Sequence, residues 1–137
     1  HPPRLFTIVL VEDNPADVRL VRTALEEHGV VGELIVFRDG ENAICFIEHF
    51  DVSTPCPDLL IVDLNLPKRP GREVLECRGR GTLRAVPVVV LSSSDAAQDR
   101  ADADRLGVDL YVKKPTRLDD FLRVGAVFRE MLGLPPD

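Results

Sequence analysis

Short apolar runs alternate along the chain with longer stretches whose apolar residues recur every three or four positions. The run Phe6–Val11 reads as a strand. Residues 14–29 read as a helix: Asn14 offers an N-cap, Pro15 fits the first helical position, Asp17 falls in the first turn, and Gly29 ends it. Val18, Val21 and Leu25 form its apolar stripe. Residues 33–38 repeat the strand pattern, and the stretch after Asp39 and Gly40, through Ile44 and Ile47 to about Phe50, repeats the helix. Residues 58–64 are nearly all apolar, as expected of a strand covered on both faces, and residues 71–80 make a short helix after a proline-rich loop. Residues 86–94 form a fourth strand. Residues 95–107 form a helix with a thin apolar side, Ala97, Ala101 and Leu106, which should be weakly held. Residues 108–115 make the fifth strand and 116–133 the last helix, with Thr116 and Asp119 in a capping-box-like spacing. Five rounds of strand and helix predict an α/β protein with a parallel sheet between two helical layers.

Composition narrows the function more than the fold. With 137 residues, 45% of them hydrophobic and 29% charged, the chain suits one soluble domain, here residues 6–132, with 1–5 and 133–137 as flexible ends. No apolar run approaches the ~18 residues needed to cross a bilayer, and residues 1–10 lack a leader's cleavage site, so a membrane partner is not expected and the cytoplasm is the expected location. A net charge of −6 argues against a nucleic-acid partner. Cys45, Cys56 and Cys77 are odd in number and widely spaced; they read as small buried hydrophobes rather than disulfide or metal ligands. His28 and His49 stand near helix ends, where capping roles are expected.

The chemistry lies where the strands end. In open α/β sheets the loops leaving the carboxyl ends of the strands meet at one edge, and ligands bind there. The first strand ends on Glu12 and Asp13, the third on Asp63, the fourth on Ser92 and the fifth on Lys114. Clustered carboxylates repel, and either protonation or a divalent cation must relieve them; Mg2+, which favours hard oxygen ligands and phosphoryl groups, suits this set. With that charge neutralised, Asp63 can act as nucleophile toward a phosphoryl group and form an acyl phosphate. Asp13 would hold the metal directly and Glu12 through water, while Lys114 and the Ser92 hydroxyl would bind phosphoryl oxygens.

The stretches VEDN, LLIVDLNLP, VVVLSSS and YVKKP resemble the receiver domain of two-component response regulators, from Phe6 to Leu132. The resemblance implies a flavodoxin-like (βα)5 fold with strand order 2-1-3-4-5, an order the handedness of the pattern alone does not give. It implies Asp63 as phosphoacceptor and Glu12, Asp13, Asp63 and the backbone carbonyl of Asn65 around Mg2+. Ser92 would be the switch hydroxyl, Lys114 the phosphate-sensing lysine and Tyr111 the aromatic that turns inward on activation. It also implies a Pro115 preceded by a cis bond, since X-Pro is where cis is least costly. The stretches EDNPADVRLVRTAL, FRDGENAI and DLNLPKRPGREVL are similar to stand-alone regulators paired with bacterial phytochrome kinases. Pro70 departs from the acidic residue usual before the loop glycine, which leaves the conformation before Gly71 open.

Such a protein is not an enzyme beyond its own phosphoryl transfer and dephosphorylation. A phosphohistidine on a sensor histidine kinase, of the bacteriophytochrome class by the second resemblance, is the expected donor, and no effector domain is expected after residue 132. Phosphorylation would be read out on the surface formed by the fourth helix, the fifth strand and the last helix. On that helix Val124, Val127 and Met131 form a second apolar ridge, expected to serve a homodimer or another partner. Competing readings are an aspartate-nucleophile phosphatase of D-x-D type, in which Asn65 could not do the acid's work, a flavin or nucleotide carrier, and a binding module independent of phosphorylation. Residues 79–84, GRGTLR, superficially suggest a glycine-rich phosphate loop, but they do not lead from a strand into a helix.

Overall fold

A computed structural model describes residues 4–51 and 53–137; the expected flexible end at residues 1–3 lies outside the described residues. Five strands, β1 Phe6–Val11, β2 Gly32–Phe37, β3 Leu59–Val62, β4 Val88–Ser92 and β5 Leu110–Lys113, form one parallel sheet in the order β2-β1-β3-β4-β5. The helices between and after them are α1 Pro15–Glu27, α2 Gly40–Glu48, α3 Gly71–Arg80, α4 Ala97–Arg105 and α5 Leu118–Met131. Side chains alternate across a strand, so each central strand feeds two cores. Ile8, Leu10, Leu59, Ile61, Val89 and Leu91 pack with Val18, Val21 and Leu25 of α1 and Phe121 and Phe128 of α5. On the other face Val9, Val11, Leu60, Val62, Val88 and Val90 meet α2 and α3. No described helix is long and apolar enough to cross a membrane.

The caps explain where elements begin. Asn14 accepts hydrogen bonds from the Ala16 and Asp17 amides, as its position before Pro15 predicts, and Gly29 takes the left-handed conformation just past His28, the C-cap of α1. The α5 start is a correction: Arg117, not Thr116, is its N-cap, and no side chain caps it. Thr116 sits one residue too early to reach the free amides. The first residue of the helix, Leu118, is 59% exposed. Helix α4 is held as weakly as expected, but by Ala103, its single buried residue; Ala97 and Ala101 are exposed. Cys77 is buried, whereas Cys45 and Cys56 are exposed free thiols, Cys45 lying on the outward side of α2.

The apolar ridge on α5 is also corrected. Val124 belongs to the core at 6% exposure, and Val127 and Met131 are half-buried against the same core. The reason is the close approach of α1: an added carbon at Gly125 would lie 2.4 Å from the Ala24 carbonyl oxygen, so the helices nearly touch and the core wraps further around α5.

Candidate phosphoryl-acceptor site

The sheet ladder runs one residue past two strand ends. The Glu12 amide donates to the Phe37 carbonyl at 2.9 Å and the Asp63 amide to the Val11 carbonyl at 3.0 Å, which sets the two acids side by side. One carboxylate oxygen from each of Glu12, Asp13 and Asp63 lies within 4.8 Å of the others. Glu12 and Asp63 are 1% and 5% exposed, while Asp13 is open to solvent. Three hard oxygen donors at this spacing fit a divalent cation, with the exposed acid facing its entry path.

Lys114 follows β5, where its amide donates to the Ser92 carbonyl at 2.7 Å. Its ammonium reaches back over the rim to Glu12 Oε1 at 2.6 Å, Asp17 Oδ2 at 2.8 Å and Asp63 Oδ2 at 2.9 Å. An ammonium has three hydrogens, and three carboxylates take them. Asp17 is the residue that sequence reasoning missed as part of the site, having read it only as a first-turn acid of α1. The available signal was its place in the first turn of α1, which starts directly after the Glu12-Asp13 strand end and so stays beside the same rim.

Electrostatics divide the proton affinities. Burial pushes the Glu12 carboxyl up to about 7, opposed by the hydrogen bond from Lys114 and reinforced by the Asp63 charge. Burial alone would depress Lys114, but hydrogen bonds to Asp17, Glu12 and Asp63 outweigh it and hold the ammonium above its ordinary range. The site therefore combines an ammonium held by three acids with a glutamate whose carboxyl burial raises to about 7.

The remaining predicted residues lie around this center at different distances. Asn65 is beside Asp63, its amide donating to Asp63 Oδ1 at 3.2 Å. Ser92 is wholly buried, and its hydroxyl oxygen accepts the Ser94 amide at 3.3 Å rather than meeting Asp63. Tyr111 is half-buried under Arg100, whose guanidinium carbon stands 4.5 Å from the ring center, and its hydroxyl donates to the Ser94 carbonyl at 2.7 Å. The Ser94 hydroxyl bonds Asp99 of α4, so the β4 end, α4 and Tyr111 form one linked unit. Pro115 is corrected in one respect: no cis peptide bond occurs among the described residues. The trans isomer of an X-Pro bond is favoured by about 0.5–1 kcal/mol, and with it Lys114 already meets all three acids.

The loop between β3 and α3 packs against Asp63. An added carbon at Gly71 would lie 2.2 Å from the Asp63 carbonyl oxygen, so only glycine lets α3 start this close to the acid. Pro70 stands as the N-cap of α3 in an extended conformation with no side-chain bond, which answers what replaces the usual acid there. Lys68 and Arg69 both take positive φ, 49° and 85°, as non-glycine residues, a strained turn the sequence did not reveal.

The response regulator receiver domain family model matches residues 8–124. The chain belongs to the response regulator receiver family. Receivers work in two-component signalling through phosphorylation of an aspartate. Response regulator Rcp1 of Synechocystis is 39% identical to this receiver over 127 residues, covering 90% of this chain and 85% of Rcp1. The solved Mn2+-bound form of Rcp1 superposes with a TM-score of 0.82 at 37% identity, over 91% of this chain and 92% of that one. The phosphorylated cyanobacterial phytochrome response regulator RcpA gives 0.85 at 36% identity over 94% of both chains. The bacteriophytochrome response regulator RtBRR gives 0.75 at 36% identity, over 98% of this chain and 81% of that one. The expected fold and strand order are those of the family, and the match favours a receiver over a D-x-D phosphatase or a flavin carrier.

Proposed function

We propose that this receiver accepts a phosphoryl group on Asp63 from a phosphohistidine of a sensor histidine kinase, using Mg2+ held by Glu12, Asp13, Asp63 and the Asn65 carbonyl. The observation that carries the reading is the Lys114 ammonium bound at once to Glu12, Asp17 and Asp63. Bound Mg2+ would neutralise the acids and the phosphoryl oxygens. The Asp63 carboxylate accepts hydrogen bonds from Lys114 and from the Asn65 amide, which hold it in place for attack. An Asp63 oxygen forms a bond to phosphorus as the bond from phosphorus to the donor imidazole nitrogen breaks. Lys114 then follows the new charge onto the phosphoryl oxygens. Ser92 leaves the Ser94 amide to donate to another, drawing the linked Tyr111 and α4 with it.

The likeness to RcpA and RtBRR supports a phytochrome-class kinase as donor. Self-association through what α5 leaves accessible around Val127 and Met131 is the accompanying partner reading; a monomer–dimer distribution unchanged by Val127→Asp in sedimentation would count against it. The test of the main reading is intact mass after incubation with acetyl phosphate and Mg2+. The expected result is a gain of one phosphoryl group that chelation of the metal and Asp63→Asn each abolish. The same gain in Asp63→Asn would overturn it.

A further inference from the structure

The end of the sheet opposite the acidic rim carries a second concentration of charge, of the other sign. The last turn of α3, the connection into β4 and the end of α4 enclose a wide-mouthed pocket of about 450 Å3. Arg78, Arg80, Arg84 and Arg105 line it, with Glu76 as its single acid. In a chain of net charge −6 such a cluster needs a cause. Helix-end chemistry supplies part of one, because cations complement the negative ends of α3 and α4. Arg105 also pairs with Asp102 at 2.9 Å, Arg84 donates to the Gly81 carbonyl at 3.2 Å, and Glu76 pairs outward with Arg72 at 3.6 Å.

Arg78 is not explained that way. It is 5% exposed, and its Nη2 donates to the Val86 carbonyl at 2.6 Å. Its Nε is buried with no acceptor among the described residues. Its Nη1 lies near Gly107, where an added side-chain carbon would come within 3.6 Å, and both residues line the pocket. Burial pushes this guanidinium below its ordinary range, only partly offset by the Asp109 charge. A buried donor left unmet is rare and is ordinarily met by a bound water, an ion or a ligand.

We propose that this pocket is a binding site for a small organic phosphate, its phosphoryl oxygens taken by Arg78 and the three neighbouring guanidiniums and its body lying against Leu75 and Leu106. All four cations are arginine, whose planar fork suits phosphoryl oxygens in pairs where lysine offers a point charge. The volume falls in the range of small-molecule sites, roughly 300–1,000 Å3, and exceeds a lone phosphate. Gly79, Arg80 and Arg84 come from the segment that superficially suggested a phosphate loop; here guanidiniums rather than backbone amides would do the holding. A ligand spanning Arg78 of α3 and Arg105 of α4 would also tie down a helix whose one buried residue is Ala103.

The test is a series of amide correlation spectra of the whole chain, free of divalent cations, titrated with sodium pyrophosphate at about 150 mM salt to screen loose attraction. Saturable shifts at the amides of Arg78, Gly79, Arg84 and Gly107 are expected. Affinity should fall at least ~10-fold in the Arg80→Ala/Arg84→Ala variant, whose altered side chains are exposed and whose fold should persist. Shifts that do not saturate by about 10 mM, equal affinity in the double variant, or shifts confined to the Asp63 and Lys114 rim would overturn the proposal. Citrate binding as tightly as pyrophosphate would overturn the assignment to phosphate.

Discussion

Replacing Glu12 with Gln gives a pH-dependent result worked from the site itself. Glutamine copies the shape of protonated Glu12, so the variant stays in the form that burial favours. In the wild type burial holds the Glu12 carboxyl up at about 7, against 4.5 for the group free in water. Between these values the folded chain holds a proton that the unfolded chain has lost. That contribution to stability is full below the lower value and is lost as pH rises through the upper one. Two and a half pH units at 1.36 kcal/mol each make the loss up to about 3 kcal/mol. Lys114, whose pKa is raised, keeps its contribution across this window and loses it only above its unfolded value, so it does not blur the comparison. Urea unfolding followed by circular dichroism in EDTA should therefore find Glu12→Gln about as stable as wild type at pH 5, and up to about 3 kcal/mol more stable at pH 8. Saturating Mg2+ should close most of that gap, since a cation at 100 times its Kd adds about 2.7 kcal/mol to the protein that keeps its ligands. A variant destabilised equally at both pH values would refute the reasoning.

Other consequences follow from the same geometry. Asp17→Asn removes one of the three charges on Lys114 and should cost about 2 kcal/mol in urea unfolding while leaving the acetyl phosphate mass shift in place; unchanged stability would mean that this contact is idle. Gly125→Ala puts a carbon 2.3 Å from His28 Cδ2 and 2.4 Å from the Ala24 carbonyl oxygen, so α5 must lift from α1 at a cost of about 1–3 kcal/mol; an unaltered unfolding midpoint would contradict this. Gly71→Ala meets the Asp63 carbonyl and should slow phosphorylation even in the fraction that remains folded, read by the rate of mass gain. Mg2+ binding should tighten as pH rises through about 7 and release up to one proton as Glu12 ionises, measurable by calorimetry in buffers of different ionisation enthalpy; pH-independent affinity would argue that Glu12 is already ionised.

The sequence made the layers legible because strand and helix periods differ and the caps at Asn14 and Gly29 are explicit. It also brought Glu12, Asp13, Asp63 and Lys114 to one rim, since parallel topology alone sends strand ends to the same edge. What escaped it depends on contacts between distant elements. Val124 is core because α1 and α5 approach at Gly125, a closeness no single helix pattern encodes. Asp17 joins Lys114 across 97 positions of sequence. The positive φ of Lys68 and Arg69 occurs where the loop packs its Arg69 carbonyl on Gly40, a contact that the preferences of lysine and arginine do not announce. Ser92 lay on the right strand end, but its hydrogen bond to the Ser94 amide depends on how the chain turns beyond β4 and could not be read from residue type.

The account depends most on the chemical identity of the phosphorylated atom. Borohydride reduces an aspartyl acyl phosphate to homoserine, so reduction after acetyl phosphate and Mg2+ treatment, followed by tandem mass spectrometry, marks the acceptor directly. Homoserine at position 63 alone, absent when the metal is chelated, is the predicted result. Homoserine at Asp13 or another acid, or a phosphoryl group that survives borohydride, would contradict it.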